Sequence, residues 1–307
     1  FPSMHTIKEF AVEADFDIDS EVMNHRQRGK MGYISPGFNG NHMIKRYMER
    51  YYKVPQNFEH FTYVSQLLQA KAYQTALEAH RKNMPHCMGS LYWQLNDSWP
   101  TISWSTVDYY GRWKASHYAV QKANAPVIIV PQYENQVLKI NVVNDGWNQL
   151  DDAKLSLAFF DFDGNELSSL EKNVSAKSNH STLIFNKNID EYIEAADLNA
   201  TVAVIQLYHA DTIVSERFMY FAEPKDLLLS KCDIVYKAEK TNKGYVISLL
   251  SNKLVKNVFI DLAFSDAFVS DNYFDLLPNR ETKVEIITKE SMDIGQAIDL
   301  ISLNDIY

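Results

Sequence analysis

The chain has 307 residues, 46% hydrophobic and 22% charged, with a formal net charge of −9. That is enough chain for two or three domains of ordinary globular composition. The acidic balance, with no basic run, argues against nucleic acid or an anionic membrane as the main partner, and no apolar run approaches the roughly 18 to 20 residues of a membrane span.

The chain opens on Phe1-Pro-Ser, with no initiator methionine, charged n-region or apolar h-region. No signal peptide is visible there, and the expectation is that a leader was removed or that the chain is a piece of a longer polypeptide. Gly29, Gly32, Pro36, Gly37 and Gly40 then mark a loop-rich connection carrying Arg26, Arg28, Lys30 and His42. Phe61, Val64, Leu68, Ala72 and Ala76 recur at helical spacing and predict a long helix ending near Lys82, stopped by Asn83-Met-Pro85. Cys87–Leu95 reads as a buried strand, and Trp113–Ala125 as a second helix closed by Pro126.

From Pro126 the period changes to two. Leu138, Ile140 and Val142 alternate with polar positions, as do Leu155, Leu157 and Phe159, and Asp163-Gly164 is a hairpin signal. Ala200–Tyr208 and Ile213–Phe221 continue the pattern as far as a linker at Glu223-Pro-Lys225. A second series follows at Ile234–Ala238, Tyr245–Leu250, Val258–Phe264, Tyr273–Leu277, Lys283–Ile287 and Ala297–Ser302. Turn signals every 8 to 12 residues or so predict two tandem β-sandwiches. The expected division is residues 1–125, 126–224 and 225–307. The first part holds one strand and a few helices, too little sheet to cover its own edges, so it reads as the closing part of an α/β fold begun upstream.

Four of the five tryptophans, Trp93, Trp99, Trp104 and Trp113, follow or end the predicted strand, with Tyr92, Tyr109 and Tyr110 among them. Flat aromatic faces beside amides, carboxylates and hydroxyls suit a sugar, whose C–H face is apolar and whose hydroxyl edge needs directed hydrogen bonds. An aromatic core around a strand is the competing reading for each tryptophan. Asn96 and Asp97 either bond sugar hydroxyls or brace their own loop. Trp99 and Trp104 either border a site or pack on a rim. His25 and Arg26 either meet a ligand or form a solvated basic patch.

The histidines are scattered, without paired metal spacing, so no metal is expected. Cys87 and Cys232, the only cysteines, read as two unpaired thiols and do not name a compartment. Asn173-Val-Ser and Asn199-Ala-Thr match the glycosylation acceptor pattern. Tyr133, Trp147, Tyr192 and Tyr273 read as packing residues unless they share one exposed sheet face.

Leu91-Tyr-Trp-Gln-Leu-Asn-Asp-Ser-Trp-Pro-Thr-Ile-Ser-Trp-Ser105, followed by Asp108-Tyr-Tyr-Gly-Arg-Trp-Lys-Ala-Ser-His-Tyr118, resembles the β-mannosidases of glycoside hydrolase family 2. Phe1-Pro-Ser-Met-His-Thr-Ile7 and Asn24-His-Arg-Gln27 resemble the same family's segment between barrel strands seven and eight, and Ser270-Asp-Asn-Tyr-Phe-Asp-Leu-Leu-Pro278 its last sandwich.

The resemblance implies that residues 1–125 are the C-terminal segment of a (β/α)8 barrel, strand eight and flanking helices, followed by two immunoglobulin-like sandwiches. It implies an exo-acting enzyme that removes terminal β-mannose with retention, through two carboxyl groups about 5 to 5.5 Å apart and no cofactor. The resemblance places both glutamates upstream of Phe1, so the catalytic pair is expected outside this chain, which alone is expected to be inactive. Trp93 is implied as the floor of the mannose subsite, with a cis Trp93–Gln94 peptide, and Asn96, Asp97 and Trp99 as further substrate-binding candidates. The implied partners are a β-mannoside and the N-terminal part of the same polypeptide, and the family's compartments are periplasmic, lysosomal or secreted. Two alternatives stay open: a family 2 exo-β-glucosaminidase, and a non-catalytic carbohydrate-binding or assembly module.

Overall fold

The computed structural model describes residues 1–32, 34–193, 196–262, 267–290 and 297–307. They form two compact units. The first comprises residues 1–80, 89–124 and 223–225, and the second residues 81–88, 125–222 and 226–307.

The first unit is helical. Helix α1 (Met4–Lys8) is capped by Ser3, whose hydroxyl accepts from the Thr6 amide. Helix α2 (Glu21–Arg26) is capped in the same way by Ser20, and α3 (Gly40–Tyr51) by Asn39. The longest helix, α4 (Phe58–Lys82), starts where the Asn57 side chain accepts the His60 amide. Its first turns are buried all round from Phe61 to Leu67, whereas Ala72 and Ala76, expected on the apolar face, are exposed. The last helix, α5 (Ala115–Ala123), is shorter than its predicted span, because Trp113 is still paired with Val107 in a β-bridge. Leu77, Val120 and Ala123 pack together with Tyr73 and Tyr92, joining α4 to α5. No helix among the described residues is long and apolar enough to cross a membrane.

Cys87–Leu95 corrects the expectation of a buried strand. The segment has no ladder partner among the described residues, and a strand exists only through its pairing. Its side chains do alternate. Leu91, Trp93 and Leu95 project outward at 103%, 73% and 55% exposure, while Ser90, Tyr92 and Gln94 turn inward.

In the second unit every strand pair among the described residues is antiparallel. Its first sandwich sets the sheet β1–β2–β5 against β4–β3–β6–β7. The strands are β1 (Val127–Glu134), β2 (Val137–Asn144), β3 (Leu150–Asp161), β4 (Glu166–Ala176), β5 (His180–Asn188), β6 (Thr201–His209) and β7 (Thr212–Tyr220). The alternating residues of β2 and β3 named from the sequence all lie in the core, facing Ala203, Ile205 and Leu207 of β6. The turn at Asp163-Gly164 joins β3 to β4, with Gly164 at φ +91°.

The second sandwich sets β12–β10–β14 against β11–β13–β9–β8. These strands are β8 (Val235–Thr241), β9 (Gly244–Leu250), β10 (Val255–Leu262), β11 (Phe268–Val269), β12 (Phe274–Leu276), β13 (Thr282–Ile287) and β14 (Ile298–Ile301). Of the predicted strand Val258–Phe264, the last two residues lie outside the described residues. The two sandwiches share an apolar cluster of Phe162, Val202, Val204, Leu227, Leu254 and Leu277. At its edge Lys253 pairs with Asp163 at 2.9 Å and Arg280 with Glu216 at 2.7 Å. Of the four aromatics considered as a platform, Tyr133 packs on Phe221, Tyr192 on Phe159 and Phe185, and Tyr273 on Phe259. Trp147 stands apart from them at 89% exposure.

Candidate functional site

The tryptophan-rich segment is held by one face of α4. Gln66, Gln69 and Tyr73 follow a three- and four-residue spacing, which stacks them along one side of a helix. Gln66 Oε1 accepts the Ala115 amide at 3.2 Å, and Gln69 Nε2 donates to the Trp104 carbonyl at 2.9 Å. The Tyr73 hydroxyl donates to the Trp93 carbonyl at 2.8 Å. Burial first, then the neighbouring Tyr92, push that hydroxyl above its ordinary value, which keeps it a donor. Nothing in the sequence reading named these three anchors, although their spacing was visible.

Trp93 therefore has a fixed backbone and an open ring. Its peptide to Gln94 is cis, as the resemblance implied. Asn96, also exposed, donates to the Asp97 carbonyl at 3.3 Å and bridges to Val107.

Asp97, named among the substrate-binding candidates, is buried in this chain. Its side chain is 1% exposed and turned inward, away from any ligand in solution. Oδ1 accepts from Ser103 Oγ at 2.5 Å and from Gln94 Nε2 at 3.3 Å, and Oδ2 accepts from Ser105 Oγ at 2.5 Å. Lys114 Nζ lies 4.0 Å from Oδ2 and donates to Ser105 Oγ at 2.8 Å. Burial pulls the Lys114 ammonium down to about 8, against the raising effects of Asp97 and then Asp108. Asp97 is the hub of a buried polar network, and its chemistry is bracing.

Trp99 is likewise engaged by its own chain. The Arg26 guanidinium lies 4.9 Å from the Trp99 ring centroid and 4.6 Å from that of Phe10, with Arg28 at 5.7 Å from Trp99 and His25 against its edge. Arg26 also donates to the Pro100 carbonyl at 2.8 Å. Residues 26–28 and 102 exchange backbone hydrogen bonds, as in a short parallel pair. Arg26 is thus neither a solvated patch nor a free ligand contact. Of the candidates, Trp93 and Asn96 present open surface, and Asp97 and Trp99 hold the loop that presents them.

Two family models match the second unit: a mannosidase Ig/CBM-like domain over residues 136–226 and an Ig-fold domain over residues 229–307. The β-mannosidase of Capra hircus is 24% identical across all of this chain, and β-mannosidase A of Aspergillus oryzae 25% identical across 85% of it. A solved β-D-mannosidase from Dictyoglomus thermophilum superposes with a TM-score of 0.85 at 25% identity, covering 99% of this chain and 36% of its own. The chain is similar over its whole length to β-mannosidases of glycoside hydrolase family 2. It corresponds to a C-terminal portion of such a β-mannosidase, spanning 36% of the goat relative and 31% of the fungal one. An exo-chitosanase from Amycolatopsis orientalis has the same fold over 99% of this chain and 40% of its own, with a TM-score of 0.76, but at 17% identity the likeness is of fold alone.

Proposed function

We propose that this chain is part of an exo-acting, retaining β-mannosidase, in which Trp93 forms one wall of the subsite for a terminal β-mannose. The observation that supports this most is an indole 73% open to solvent on a backbone clamped by Tyr73, in a chain whose relatives are β-mannosidases. An aromatic face on a rigid support stacks on the apolar side of a pyranose at little cost in conformational entropy. Asn96, exposed beside it, is the candidate for a sugar hydroxyl.

In this reading residues 1–125 close a (β/α)8 barrel, and Cys87–Leu95 is the strand that its sheet would receive. The outward row of Leu91, Trp93 and Leu95 fits a segment that takes its ladder partners from elsewhere in the polypeptide. Two immunoglobulin-like domains follow, over residues 126–224 and 225–307. The reactive carboxyl pair is supplied by residues outside this chain, and hydrolysis by two carboxyl groups needs no cofactor.

The test compares the full-length protein with the isolated 1–307 chain on aryl β-mannoside and aryl β-glucosaminide. The expected result is β-mannoside hydrolysis with retained anomeric configuration by the full-length protein, and none by the isolated chain. Robust turnover by the isolated chain would overturn the division of labour, and a preference for the amino sugar would overturn the substrate.

A further inference from the structure

An exposed ring has little packing of its own to hold its plane, so the geometry of Trp93 depends on what grips the chain around it. One grip is Tyr73. The other is Gln94, on the far side of the same peptide: its carbonyl accepts the Thr106 amide at 3.1 Å, and its side chain donates to Asp97. The Asp97 carboxylate is thereby a shared acceptor for Gln94, Ser103 and Ser105. Only an ionised carboxylate offers acceptor sites to all three without becoming a donor itself.

A carboxylate buried this deeply requires a counter-charge. Lys114 supplies it. Its side chain is 1% exposed, its ammonium reaches Asp97 both directly and through Ser105, and its backbone amide donates to the Thr106 carbonyl at 2.9 Å. Ser105 has a single hydroxyl proton, which goes to Asp97, leaving its lone pairs for the ammonium. Ser105 thus links the two charges, donating to Asp97 and accepting from Lys114.

We propose that Lys114 is a positioning residue for the sugar subsite: through Ser105 and Asp97 its ammonium fixes the Gln94 side of the Trp93 peptide, and so the plane in which the indole meets the pyranose. The catalytic part of this statement rests on the β-mannosidase reading, whereas the ordering of the loop does not. A displacement of about 1 Å at a reacting centre costs up to about a hundredfold in rate, which sets the scale of the effect.

The experiment uses the full-length protein with Lys114→Met, which removes the charge at similar volume, Ser105→Ala, which removes only the bridging hydroxyl, and the double variant. Hydrogen exchange is read over residues 91–99 and, as a control for folding, over residues 61–67 of α4. Both single variants are expected to exchange faster over 91–99 with unchanged protection in α4, and to lose about tenfold to a hundredfold in kcat/KM on aryl β-mannoside, mostly in kcat. The double variant is expected to be no worse than Lys114→Met, since both changes break one relay. Unchanged exchange over 91–99 in Ser105→Ala, or additive losses in the double variant, would overturn the proposal. If the wild-type protein does not act on β-mannosides, the functional reading fails, and the exchange measurement still decides whether Lys114 orders the loop.

Discussion

Burying a lysine beside a carboxylate has a consequence for stability whose sign is opposite to the usual alkaline loss. Lys114 is brought down from an ordinary 10.5 to about 8, with burial the largest cause. Between those two values the unfolded chain holds a proton that the folded chain has released, so stability rises with pH across that window. That lowering corresponds to a cost of about 3 kcal/mol that is fully present below about pH 8. About 1 kcal/mol of it is recovered between pH 7 and pH 9. Four of the five tryptophans lie between residues 93 and 113, so tryptophan emission reports mainly on unfolding around this lysine. Urea midpoints at pH 7 and pH 9 are compared for the wild type and Lys114→Met, which cancels other titrating groups. The wild type is expected to gain about 1 kcal/mol relative to the variant on going to pH 9. Parallel pH dependences would refute the reasoning. A relative loss in the wild type would show that the ion pair, rather than burial, dominates.

Two further substitutions probe the sandwiches. Leu157→Ala, fully buried in β3 between Leu170 and Ile205, is expected to cost about 3 to 5 kcal/mol in denaturant unfolding, and Leu183→Ala, half-exposed on β5, less than about 1 kcal/mol. Gly244→Ala is expected to destabilise the second sandwich by at least about 2 kcal/mol in thermal unfolding, because φ is +145° and a Cβ there would fall 2.1 Å from the Ile286 carbonyl oxygen of the paired strand β13. A change of less than half that size would mean that the β9–β13 pair yields easily.

What was legible in the sequence follows from where a single period governs a segment. In β2 and β3 one face is buried and the other is wet, so Leu138, Ile140, Val142 and Leu155, Leu157, Phe159 announced themselves. Strand β1 did not, because Ile128, Ile129 and Val130 are buried in succession and Pro131 interrupts the run. Its place at the sheet edge is what tolerates the proline. Strand β5 was hidden by a bulge: Phe185 faces Ile140 and Leu183 faces Asn141, so Ile184 is an extra residue that breaks the alternation.

At the site, the aromatic cluster and the cis peptide after Trp93 were readable from the family's residue pattern. The supports were not. Asp97 and Lys114 are separated in the chain, and only the fold shows that a carboxylate next to a tryptophan faces inward to a buried amine. The same holds for Tyr73, whose hydroxyl reaches the Trp93 carbonyl across 20 residues.

The central claim, that Trp93 is the platform for the departing sugar, is tested most directly by Trp93→Ala in the full-length protein. The unfolding midpoint of the variant is measured beside its activity as the control for folding. The kcat/KM on aryl β-mannoside is expected to fall by about a hundredfold or more. A folded variant with undiminished kcat/KM would contradict the account.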